Sequence, residues 1–140
     1  MSERITNSLI KKLLTFVEEY RKKITNYTVI RNTLQLYIFH TKRSIRHTKN
    51  QLLNFGIGNE IVIECFHIKL SRQCILLNKY KIKDSSICYK IDKLNLKIHS
   101  CIEKVIEIKR LEKEKIEADT VIVANFLNQQ AQTRYTYEQN

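Results

Sequence analysis

Apolar residues recur along this chain at alternating three- and four-residue steps, the spacing of a coiled-coil seam. In the first half the seam reads Leu13, Val17, Tyr20, Ile24, Tyr27, Arg31, Leu34, Ile38, Thr41, Ile45, Thr48, Leu52 and Phe55; ten of these thirteen are apolar. In the second half it reads Ile63, Phe66, Leu70, Gln73, Leu77, Tyr80, Asp84, Ile87, Ile91, Leu94, Ile98, Cys101, Val105, Ile108 and Glu112; twelve of these fifteen are apolar. A chain that is 43% hydrophobic does not hold such a pattern over about six heptads by chance.

The pattern predicts an all-α fold, a long antiparallel two-helix coiled-coil hairpin with a C-terminal overhang. The first helix is expected over about residues 5–54 and the second over about 60–130, with a tail at 131–140, all in one domain. At 1.5 Å per residue these helices are roughly 75 Å and 105 Å long. The turn is placed at 55–59. There is no proline, and the only two glycines, Gly56 and Gly58, stand in "NFGIGN" (Asn54 to Asn59). Turns draw on glycine and proline for steric reasons, so their confinement to one place means few chain reversals. Asn59 is the expected N-cap of the second helix.

Two stretches argue against an unbroken second helix. "EIVIECFHIKL" (Glu60 to Leu70) alternates like a strand and is rich in β-branched residues. "KDSS" (Lys83 to Ser86) puts Asp84 on the seam, followed by two residues that favour caps and turns, so a kink or break is expected there.

A fold about Gly56–Ile57 pairs residue i with roughly 114 − i. The first helix then runs out opposite about residue 108, and everything after Leu111 overhangs. This overhang includes "ADTVIVANFLNQQAQTRYTYEQN" (Ala118 to Asn140), with Val121, Ile122, Val123, Phe126 and Leu127. A two-helix hairpin also leaves Ile10, Leu14, Val29, Ile30, Phe39, Ile75, Ile82 and Ile102 half exposed. Apolar surface of that extent belongs to interfaces.

The net charge of +11 is uneven: residues 1–55 carry 11 Lys/Arg against 3 acids. Such a balance suits nucleic acid, an anionic surface or an acidic protein cavity. Ile, Lys and Asn are the residues an AT-rich gene favours, which accounts for part of the charge. "RKK" (Arg21 to Lys23) and "TKRSIRHTK" (Thr41 to Lys49) are basic runs able to meet phosphates. They lack interleaved stacking aromatics, so the hydrated back of a coiled coil is the favoured reading. His40 and His47, seven apart, are read the same way. "RLEKEKIEAD" (Arg110 to Asp119) reads as a solvated mixed-charge helix. "RYTYEQN" suits an interface anchor and a frayed end equally.

Cys65, Cys74, Cys88 and Cys101 show no metal-ligand spacing and are expected to be reduced thiols serving as small apolar fillers. No run reaches the roughly 20 apolar residues of a membrane span, and the N-terminus lacks the pattern of a signal peptide. A cytoplasmic location follows as an expectation. No catalytic constellation, phosphate loop, cofactor motif or metal site is legible. An enzyme is not expected.

This small, basic, proline-free hairpin with a longer C-terminal helix resembles the central-stalk proteins of type III secretion and flagellar export, the FliJ/YscO/SpaM family. "KLSRQCILLNKYKI" (Lys69 to Ile82) is similar to the basic, glutamine-containing segment of its SpaM-type members. The Ile- and Cys-rich second helix departs from the Gln- and Glu-rich pattern of the family. The resemblance implies a rotary stalk whose joined termini enter a hexameric export ATPase, while the hinge faces an export-gate component at the membrane. The partner-binding end is then Lys11 and Lys12 with Ile122, Phe126, Leu127 and Arg134, and the gate-facing end is Phe55, Gly56, Ile57 and Gly58. A basic nucleic-acid-binding coiled coil and a subunit of a larger helical assembly, homo- or heteromeric, are the alternatives.

Overall fold

The computed structural model describes residues 3–55 and 58–139, and side chains through residue 134. Gly56 and Ile57 of the expected hinge lie outside the described residues. Two helices account for the architecture: α1, Glu3–Phe55, and α2, Glu60–Gln139. The fold is an all-α, antiparallel coiled-coil hairpin, with no strand among the described residues. The chain divides into two compact units: Glu18–Ile98, and Met1–Val17 with His99–Asn140.

"EIVIECFHIKL" is helical, not extended. A lone β-branched strand would have no ladder partner, whereas a helix turns Ile63, Phe66 and Leu70 inward together. The helix starts at a cap as expected: Asn59 Oδ1 accepts from the Val62 amide at 3.3 Å, and the Asn59 carbonyl accepts from the Ile63 amide at 3.1 Å. Gly58 takes φ +85°, a conformation side chains disfavour.

α2 also runs unbroken through "KDSS", contrary to the expected kink. In the unit Glu18–Ile98, Asp84 faces α1 and is paired there by Arg31 Nε at 3.3 Å and Gln35 Nε2 at 2.8 Å. A satisfied carboxylate has no reason to leave the helix. Residues 131–139, expected as a tail, continue the helix.

The seam is the core. Within Glu18–Ile98, Leu34, Ile38, Ile45 and Leu94 are buried, together with Thr41 and Thr48. Thr48, only 1% exposed, satisfies its hydroxyl by donating to the Ser44 carbonyl at 3.0 Å. In the other unit Val17, Cys101 and Val105 are buried, and so is Thr6, which extends the seam one heptad further toward the start of α1 than the sequence pattern suggested.

The register differs from the sequence expectation by about three residues. Tyr37 stacks on Tyr80 at 5.4 Å, and Lys90 and Lys97 sit 5.7 Å above the rings of Tyr27 and Tyr20. The numbers in each of these pairs add to 117. Helix ends at Phe55 and Glu60 set the backbone level pairing at a sum of 115. Helical side chains lean toward their own N-terminus by about one residue. In an antiparallel pair the two leans add, which moves the side-chain register on by two. Consequently α1 covers α2 further than to Leu111. Glu3 and Thr6 form a groove of about 410 Å³ with Leu111, Ile116 and Asp119, and the overhang begins beyond these residues.

The filler reading of the cysteines holds for buried Cys101 and half-buried Cys88. Cys65 and Cys74 are exposed, because they fall off the seam.

Candidate functional site

Among the described residues no group of His, Cys, Asp and Glu side chains could hold a metal ion, and no helix is long and apolar enough to cross a membrane. What the structure presents is helix surface, in three parts.

The first part is the overhang, within the unit Met1–Val17 with His99–Asn140. Every position from 113 to 134 is exposed. Ile122, Val123, Phe126 and Leu127 fall on one face by helical periodicity, and each is more than half exposed. A helix with an apolar stripe and no second helix against it is marginal in water on its own, since packing supplies most helical stability. Charge pairing secures its base. Arg110 bridges Glu107 at 2.6 Å and Glu114 at 2.5 Å, and Lys113 approaches Glu117 at 4.0 Å. The hydrogen bond from Arg110 holds the Glu107 carboxyl below its ordinary value of 4.5, against a smaller opposing effect of desolvation. The same carboxylates push the Arg110 guanidinium further up.

Lys11, Lys12, Ile122, Phe126, Leu127 and Arg134 are all exposed, but they do not form one patch. In the observed register Lys12 lies level with about residue 105. Phe126 is 21 residues further along α2, roughly 30 Å away. Lys12 instead shares a shallow depression with Arg4, Ile5, Ser8 and Leu9. At the other end of α1, Phe55 is largely exposed, and a side chain added at Gly58 would meet nothing.

The second part is a cleft of about 480 Å³ in the unit Glu18–Ile98. It is lined by His40, Arg43 and His47 from α1 and by Lys69 and Gln73 from α2, with no carboxylate among its walls. Gln73 Oε1 is buried there without a hydrogen-bond partner. The sequence marked the histidine pair and the basic run, but not that Lys69 closes the cleft from the other helix. Only the hairpin register brings it there.

The third part is the back of α2. Ile61, Ile68, Ile75, Ile82, Tyr89 and Leu96 are spaced seven apart and are 48–75% exposed. Of these only Ile75 and Ile82 were expected as exposed apolar residues. The seven-residue spacing was in the sequence, but its outward direction became visible only once the seam was assigned.

Comparison with family models, curated proteins and solved structures finds no match to this chain.

Proposed function

We propose that this chain is a non-catalytic coiled-coil interaction protein whose C-terminal overhang binds a protein partner. The observation that carries this reading is the apolar face of Ile122, Val123, Phe126 and Leu127, which α1 is too short to cover. A partner groove would bury that face as an amphipathic helix, with Ile122 and Phe126, and Val123 and Leu127, as anchors at i, i+4 spacing. The resemblance to export stalks makes a hexameric export ATPase on the cytoplasmic side the partner to test first, with the hinge toward an export-gate component. Lys11 and Lys12 then meet a different part of the ring from Phe126.

The test compares the full chain with a truncation ending at Glu117, each added to a hexameric export ATPase. Promotion of hexamer assembly and ATP turnover by the full chain, and its loss in the truncation, is the expected result. Equal behaviour of the two chains removes the overhang from the mechanism. No effect of either removes the ATPase.

A second reading rests on the carboxylate-free cleft of His40, Arg43, His47 and Lys69, which suits a phosphate backbone. It requires nucleic-acid binding that weakens steeply with salt.

A further inference from the structure

In a two-helix coiled coil, the position directly opposite the seam is the wettest in the heptad and is ordinarily polar. With Ile63, Leu70 and Leu77 as one seam position of α2 and Phe66, Gln73 and Tyr80 as the other, that outermost position falls on Ile61, Ile68, Ile75, Ile82, Tyr89 and Leu96. It is apolar for six consecutive heptads, all inside the unit Glu18–Ile98. At the next two heptads it becomes Glu103 and Arg110. Packing against α1 holds α2 to a 3.5-residue period, and the same period keeps these six residues in a straight line along the back instead of letting them drift around it. The line spans 35 residues, roughly 50 Å.

We propose that this stripe is the contact between two copies of the chain, with the two α2 helices parallel and in register. The flanking positions select both occupant and direction. On one side of the stripe run Glu64, Ser71, Asn78, Ser85 and Asp92, a line with only acidic charges. On the other run Cys65, Arg72, Lys79, Ser86 and Lys93, a line with only basic charges. Parallel helices lay the acidic flank of each against the basic flank of the other, on both sides at once. Antiparallel helices lay the basic flank on itself, bringing Lys79 against its own copy. A second copy is therefore the complementary surface, and only in the parallel sense. The small side chains Ser71, Ser85 and Ser86 beside the stripe let the helix axes approach closely. The seam with α1 stays intact on the far side, so the assembly is four helices with the α2 pair at its centre.

Sedimentation equilibrium on the full chain tests this. The expected mass is twice that of the 16.7 kDa chain. The double variant Ile68→Glu/Ile82→Glu should halve it, with helix content by circular dichroism unchanged because both positions are exposed. A monomeric wild type overturns the proposal and leaves the stripe to a different helical protein. A variant that remains dimeric overturns it too, since the contact is then elsewhere. Should the double variant lose its helix content, cross-linking decides. With the four cysteines replaced by alanine, Ile75→Cys should oxidise to a self-linked dimer. Absence of that link, or efficient linkage only between Ile75→Cys and Ile82→Cys chains, overturns the parallel arrangement.

Discussion

Arg31 Nε donates to Asp84 Oδ1 at 3.3 Å, and these two residues are polar exceptions on opposite seams. Gln35 Nε2 donates to the other carboxylate oxygen, Oδ2, at 2.8 Å. The pair is unequal: the Asp84 side chain is 14% exposed and that of Arg31 is 45% exposed. A polar residue at a seam position fixes register at some expense in stability, because any slip leaves it facing an apolar neighbour. Arg31 and Asp84 do this for the middle of Glu18–Ile98.

That asymmetry has a measurable consequence. Arg31→Leu strands a mostly buried carboxylate with one amide partner and should lower stability by about 1–2 kcal/mol in urea unfolding. Asp84→Leu releases Arg31 and Gln35 to water and should cost less than about 0.5 kcal/mol. Equal losses would show that the pair is not shielded as the structure has it.

Seam and back should separate cleanly. Leu94→Ala removes a buried side chain and should cost about 2–3 kcal/mol, whereas Ile106→Ala, largely exposed, should stay within about 0.5 kcal/mol. Urea midpoints of the two variants measure the contrast, and a comparable loss at Ile106 would place the core elsewhere.

The turn depends on two residues. Asn59→Ala removes the cap on α2 and should lower stability by about 1 kcal/mol. Gly58→Ala should cost a similar amount through its φ of +85° alone, since the added methyl meets no atom. A stabilised Gly58→Ala chain in thermal melts would contradict the conformation of the turn.

Acidification should weaken the base of the overhang. Because the folded carboxyl of Glu107 lies below its unfolded value of 4.5, its contribution is fully present above that pH and is lost as pH falls through the folded value. Melting curves of wild type and Arg110→Gln should therefore differ at neutral pH and converge well below 4.5. High salt should narrow the neutral-pH difference in the same way. A difference that persists in acid would mean that Arg110 acts by packing alone.

The sequence by itself determined the seam, the class and the hairpin. Twelve of the fifteen seam positions from Ile63 to Glu112 are apolar, and when a single turn separates two such runs, each run's nearest partner is the other. It also contained the back stripe, one residue in seven, but periodicity alone cannot say which of two apolar lines is covered. The tertiary structure decided the rest. Side-chain lean in antiparallel helices moved the register to 117, and the packing of the two helices closed Lys69 over His40 and His47 in one cleft. It also brought Asp84 between Arg31 and Gln35, so a residue that breaks helices in isolation is held within one. These outcomes depend on what stands opposite in space, and a single strand of sequence carries no record of its neighbour's angle.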